Sequence, residues 1–129
     1  MARGYDDIVV VVPTTEPYVR RSEHGAAWFI ARVLGAMLRR SGLAKDAIDG
    51  LCLSSLTLAP DTAVAFTQHA GLSPRFLEWL PMGGASGVVA LRRAARAVQA
   101  GDAEIVARIA GDTANATSFT DLIENFSSF

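Results

Sequence analysis

Phe76-Leu77-Glu78-Trp79-Leu80-Pro81-Met82-Gly83-Gly84-Ala85-Ser86-Gly87-Val88-Val89-Ala90-Leu91 is the stretch whose reading decides the fold. A short apolar run closes at Pro81 and meets a glycine-rich corner. The corner opens into a helical pattern that begins apolar on every side. Charges arrive only at Arg92, Arg93 and Arg96. A helix without a polar side is expected to be buried all round. Its first turn carries backbone N–H groups that lack intrahelical acceptors, together with the positive end of the helix dipole. Gly83, Gly84 and Gly87 allow backbone and ligand to approach closely. Two readings of the corner are open. It either stabilises an anion or developing oxyanion, or it is only a tight turn that lets a helix pack closely.

Working outward, Ile8–Val12 is a wholly apolar, β-branched run stopped by Pro13. It predicts a central strand covered on both faces. A polar loop over Thr14–Arg21 follows, with Ser22 placed to cap a helix. From Ala26 the helical period holds through Ile30, Val33, Leu34, Met37 and Leu38, and Gly42 supplies a left-handed stop after Arg39 and Arg40. Leu51–Ser55 predicts a second strand, Asp61 the start of a second helix that Gly71 ends, and Arg75–Leu80 a third strand. The third helix is expected over Ala85–Ala100, before Gly101, and a fourth strand over Glu104–Ala110. Gly111–Thr117 reads as a loop, and Thr120–Phe129 as a short helix with aromatic anchors. Strands alternating with helices imply an α/β fold: a mostly parallel sheet with helices on both faces and a buried central helix.

Composition narrows the function classes. The chain has 129 residues, 50% of them hydrophobic and 19% charged, with a formal net charge of -1. That is globular composition, with no basic footprint for nucleic acid or an anionic membrane surface. No run approaches the about 20 apolar residues needed to span a bilayer. Asp6 and Asp7 precede the first apolar run, so no signal peptide is read and the cytoplasm is the expected compartment. The single Cys excludes an internal disulfide framework and a thiolate zinc site. No metal site or resident cofactor is expected. The sequence ends on Ser128-Phe129 without a polar tail, and the fourth strand would leave an open sheet edge. Residues 1–129 are therefore expected to form one domain that is an incomplete portion of a longer subunit.

Candidate chemistry is thin. Cys52 lies within the second strand and reads as a small buried hydrophobe. Ser86 is out of register with a hydrolase elbow, since Gly84-Ala85-Ser86-Gly87-Val88 lacks the final glycine and no His follows it. Nucleotide-binding glycine loops also fail. His24, in the first turn of the first helix, and His69, near the end of the second, have no ligand-like neighbours. Arg20 and Arg21 follow the first strand at the carboxyl edge, where open α/β sheets bind ligands. They either hold a phosphate or a partner's acid, or are solvated. Asp112 and Thr113 end the fourth strand on that edge and either border a site or form a turn. Arg108 interrupts an apolar strand and needs a partner: either the strand is an exposed edge there, or, as preferred, Arg108 pairs with an acid in a missing segment or a neighbouring subunit.

The chain resembles the N-terminal part of a thiolase-superfamily subunit, closest to the sterol-carrier-protein type and atypical acetyl-CoA acetyltransferase-like relatives. The resemblance rests on Thr15-Glu16-Pro17-Tyr18-Val19-Arg20-Arg21-Ser22, Ser41-Gly42-Leu43, Ile48-Asp49-Gly50-Leu51, Gly83-Gly84-Ala85-Ser86-Gly87, Ala100-Gly101-Asp102-Ala103-Glu104-Ile105-Val106 and Ala110-Gly111-Asp112-Thr113. It implies an acyl-CoA substrate and a homodimer through the Arg75–Leu80 strand. It also implies an oxyanion corner at Gly83, Gly84, Ala85, Ser86 and Gly87. The family's acylated cysteine falls at Gly84 here, and glycine cannot be acylated. The resemblance therefore favours retro-aldol lyase chemistry beside a CoA thioester, as in cysteine-less relatives that work with a small OB-fold partner. An acyltransferase whose groups come from elsewhere, and a non-catalytic acyl-CoA-binding or scaffold subunit, are the alternatives.

Overall fold

The computed structural model describes residues 4–58, 62–113, 120, 123 and 124. Its centre is a three-stranded parallel sheet: β1 (Gly50–Ser54), β2 (Phe76–Trp79) and β3 (Val106–Ala110), in the order β2-β1-β3. β1 is fully buried, as its uninterrupted apolar character requires of a middle strand. Gly50 lets β1 and β3 close on each other. A Cβ there would lie 2.7 Å from Val106 Cγ2 and 3.0 Å from the Ala103 Cβ.

Three helices cover the sheet: α1 (Ala26–Ser41), α2 (Ala63–Ala70) and α3 (Ser86–Ala100). Alternation along the strands sorts the side chains between two cores. Leu51, Leu53, Ala107 and Ile109 meet Ile30 and Leu34 of α1 and Phe66 of α2. On the other face Cys52, Val106 and Phe76 meet Ala90 and Val89 of α3. The expected helix stops are in place: Gly42, Gly71 and Gly101 all take left-handed backbone. Arg39 and Arg40 occupy the last turn of α1.

The structure corrects several sequence expectations. Ile8–Val12 is not a strand, so the sheet has three strands where four were expected. Val9, Val10 and Val11 are 79%, 76% and 66% exposed, and Val12 sits at a positive φ that a β-branched residue rarely adopts. The direct pairing of β1 with β3 takes the place a further central strand would need. Ser22 does not cap α1. Its hydroxyl accepts from the His24 N–H at 3.0 Å, and Gly25 is the N-cap. His24 thus precedes the helix and stacks on Trp28 with ring centroids 3.9 Å apart. Thr62 caps α2, accepting from Ala65 N–H at 3.1 Å, whereas Asp61 lies outside the described residues.

α3 is not buried on all sides either. Its buried positions, Ser86, Ala90, Ala94 and Ala97, trace one narrow face of small residues, and Val88 on the far side is 77% exposed. Small side chains bring the helix close to the sheet, and a run of apolar residues is no guarantee of a second covering layer. Thr120, Ile123 and Glu124 are helical. The rest of the expected terminal helix, with its aromatic anchors, and residues 114–117 of the expected loop lie outside the described residues.

At the amino edge of the sheet, the Asp49 carboxylate accepts from the Glu104 and Ile105 N–H groups at 2.8–3.0 Å. Arg75 lies 4.0 Å away. Burial pushes this carboxyl up, but the backbone donors and Arg75 outweigh it and hold its pKa below the ordinary 3.8. A depressed folded value adds stability that is present above the unfolded pKa and lost as pH falls through the folded one. Asp49→Asn is expected to cost about 1 kcal/mol at pH 7. In thermal melts across pH the difference from wild type should vanish below the acid limb.

Candidate functional site

The corner between β2 and α3 is built by one hydroxyl. Ser86 Oγ donates to the Leu80 carbonyl at 3.0 Å and accepts from the Met82 N–H at 2.9 Å. Ser86 is buried, so this bridge runs in a dry environment where each bond counts. It ties the end of β2 to the first residue of α3 and forces Pro81–Ala85 to loop outward. Gly83–Ala85 forms one 3-10 turn, entered through Gly83 at φ +68°. Gly83 therefore needs to be glycine. Ser86 is thus a backbone clamp whose one hydroxyl proton is committed to the Leu80 carbonyl.

Gly84 is different. It is exposed, its φ is unstrained, and a Cβ built there would meet nothing within 4 Å. Neither packing nor backbone conformation demands glycine here. The N–H groups of Gly83 and Gly84 precede the first repeating bond of the turn, so neither is committed to it. Ala85 is exposed beside them. The arrangement can hold an anionic oxygen but offers it no nucleophile.

The chain's thiol does not reach this place. Cys52 is buried beneath α3, at the middle of β1. Burial, with Glu78 beside it, pushes its pKa up to about 11, and Arg108 and Arg93 only partly offset the rise. It stays a neutral thiol at neutral pH, as the reading of a small hydrophobe requires.

Gly87 has a separate reason to be glycine. A Cβ there would stand 2.7 Å from an Nη of Arg108, so the missing side chain is what admits that guanidinium beneath the first turn of α3. Arg108 lies opposite Cys52 in the parallel register, and Glu78 faces Cys52 from the other side. Glu78 is held by Arg93 at 3.6 Å. The Nε of Arg108 is buried and has no hydrogen-bond partner among the described residues. Arg108 is half-buried on an outer strand of the sheet, so the strand is not simply exposed at that point.

The remaining candidates fall elsewhere. Asp112 Oδ1 accepts from Ser55 Oγ, Leu56 N–H, Thr57 N–H and Thr57 Oγ1, all at 2.8–2.9 Å. The Thr113 N–H donates to Thr57 Oγ1 at 2.8 Å. Together they lock the loop after β1 to the end of β3, with Trp79 Nε1 donating to the Ser55 carbonyl from β2 at 3.0 Å. Arg20 and Arg21 are exposed on the segment before α1. They share with Arg108, Asp112 and Thr113 a groove of about 1260 Å³ that the corner glycines do not line. The structure therefore divides the predicted residues into two places, the Gly83–Ser86 corner and the groove, and Arg108, which lines the groove, also reaches the space left by Gly87 just after the corner. The sequence signal for it was a lone charge inside an apolar strand.

Among the described residues no three His, Cys, Asp or Glu side chains are grouped to hold a metal ion. No described helix is long and apolar enough to cross a membrane. No protein-family model matches the chain, and no curated protein matches it.

The corner predicts an ordered series in denaturant unfolding. Ser86→Ala leaves two buried backbone groups unsatisfied and is expected to cost about 1–3 kcal/mol. Gly83→Ala forces alanine into left-handed backbone, at about 1–2 kcal/mol. Gly84→Ala should be neutral to within about 0.5 kcal/mol. Cys52 should resist alkylation by iodoacetamide at neutral pH in the folded protein and react only once it unfolds.

Proposed function

We propose that this chain is the N-terminal part of a thiolase-type acyl-CoA subunit that works beside a CoA thioester without forming an acyl-enzyme. The bare, unconstrained Gly84 carries the reading. It occupies the place where the resemblance puts an acylated cysteine, its surroundings would accept that side chain, and the sequence puts none there. Ping-pong acyl transfer through this corner is thereby removed, because it needs a nucleophile at that position. Anion stabilisation is not removed, since it needs only fixed donors.

Retro-aldol cleavage of a β-hydroxyacyl-CoA fits such a corner best. A base takes the β-hydroxyl proton, the Cα–Cβ bond breaks, and the β-carbon leaves as a carbonyl. The electron pair moves into the thioester as an enolate, and the Gly83 and Gly84 N–H groups are the donors we assign to its oxygen. Protonation at Cα then gives the shortened acyl-CoA. The acid/base groups and the cover that excludes water from the exposed corner come from other parts of the assembly. We place it in the cytoplasm as a homodimer joined through the Arg75–Leu80 strand, with a small OB-fold partner. The position of β2 at an edge of the sheet supports that dimer, because its outer side is open to strand addition.

Intact mass after incubation with acetyl-CoA tests the reading. Wild type is expected to stay unmodified. Gly84→Cys, with its thiol at a helix start and in open space, is expected to gain one acetyl group. The full-length protein with its partner should convert a 3-hydroxyacyl-CoA to a carbonyl product and a shorter acyl-CoA. A stable adduct on wild type, or an untouched 3-hydroxyacyl-CoA, defeats the proposal.

A further inference from the structure

The outer face of α1 carries a pattern that the fold does not use. Trp28, Arg32, Gly35 and Arg39 recur at helical spacing and form one stripe. With Ala31 they line a shallow depression of about 350 Å³. Ile30 and Leu34, on the opposite side of the helix, pack on the sheet. α1 holds three arginines and no acidic residue, although the chain as a whole has a formal net charge of -1. Its outer face is therefore basic against the balance of the molecule.

Gly35 is the anomaly in this stripe. Glycine in mid-helix is unfavourable because it gives up the most backbone freedom. Gly35 has no positive φ, and a Cβ there would meet only the flexible tip of Arg39, with Nη1 at 3.3 Å. Nothing within the chain requires glycine at this position. Its missing side chain leaves a notch between Arg32 and Arg39. Trp28 stands beside that notch, held in place from two directions. His24 stacks flat on the indole with ring centroids 3.9 Å apart, and the Arg32 guanidinium lies 4.9 Å from its ring centroid. The indole is still 38% exposed. Arg32 donates to Glu16 through Nε and Nη2, whereas Arg39 has no acceptor among the described residues. An ordered tryptophan flanked by arginines is the composition of a protein-binding hot spot.

We propose that the outer face of α1 docks an acidic helix of a protein partner, seated over Gly35 with carboxylates on Arg39 and Arg32 and an apolar side chain against Trp28. The two arginines are seven residues apart, about 10 Å along the helix axis, so carboxylates two turns apart on the partner reach both. Charge complementarity selects an acidic partner. The notch selects a helix, because a missing side chain lets two helix backbones approach closely. A lipid surface or a nucleic acid would use the arginines but has no use for glycine at position 35. The site shares no residue with the corner or with β2 and does not depend on acyl-CoA chemistry.

Fluorescence anisotropy of a labelled synthetic helix, with glutamates two turns apart and leucine between them, tests the site on the full chain. The same helix with glutamine in place of glutamate is the uncharged control. Saturable binding of the glutamate helix is expected, with the glutamine helix at least about fivefold weaker. High salt should erase that difference. Arg39→Gln should weaken the glutamate helix about threefold and leave the glutamine helix unchanged. Gly35→Ala is the decisive variant. It should raise the melting temperature of the free chain, because alanine is the better helix former, and weaken both helices at least about fivefold by filling the notch. A gain in stability with a loss of binding cannot come from misfolding. The Trp28 indole N–H resonance should shift on titration. Failure of the glutamate helix to bind, equal affinity for the two helices, or binding indifferent to Gly35→Ala overturns the proposal. Displacement of the helix by phosphatidylserine vesicles or a single-stranded oligonucleotide that bind more tightly through Arg39 overturns it as well.

Discussion

The Ser86 hydroxyl, shared between the Leu80 carbonyl and the Met82 N–H, determines how the chain leaves the sheet. Without it, β2 could run on past Trp79 and α3 could begin at any of several residues. With it, the five residues Pro81–Ala85 are looped out between two bonded ends, and the turn must start at Gly83 in left-handed backbone. The helix that follows is then pinned with Ala90, Ala94 and Ala97 on the sheet, and Gly87 directly over Arg108. One buried hydroxyl thus sets the depth and phase of a whole helix.

Two aspartates do comparable work at opposite ends of the sheet. Asp49 gathers the backbone where β3 begins, and Asp112 gathers the loop where β1 ends. Each binds the outer strand to the middle strand beyond the reach of the ladder bonds. A carboxylate suits this task because one oxygen can accept several N–H and O–H donors that no neutral side chain could satisfy together. Parallel pairs need such ties more than antiparallel ones, since their bonds are slanted and slightly weaker per residue. With only three short strands, the sheet has few ladder bonds to spare.

Much of the fold could be read in the chain because burial and period leave plain marks. Leu51 to Ser54 is apolar enough to need cover on both faces, and the glycines at 42, 71 and 101 stop helices where left-handed backbone is needed. Ile8–Val12 misled for a physical reason. β-branched residues favour extended backbone, but a strand also requires a free edge at the right distance, and periodicity carries no information about edges. The same limit applied to α3, where an apolar run concealed a narrow buried stripe. At the corner, the sequence marked the glycines together but could not separate their roles. Only geometry distinguishes Gly83, held by its φ, and Gly87, held by a guanidinium, from Gly84, held by nothing. Arg108 was visible as an anomaly, yet its pairing with Gly87 joins residues far apart in the chain.

The start of α3 is electropositive from two independent sources. The helix start carries the positive end of its dipole and, ahead of it, the N–H groups of Gly83 and Gly84. Beneath the same turn sits the Arg108 guanidinium, whose nearest facing carboxylate is committed to Arg93. The buried thiol of Cys52 does not ionise in response: desolvation and Glu78 keep the proton on sulfur despite the nearby arginines. A cation admitted under a helix terminus by the missing side chain of Gly87 thus leaves the adjacent thiol neutral, because burial outweighs the charges around it.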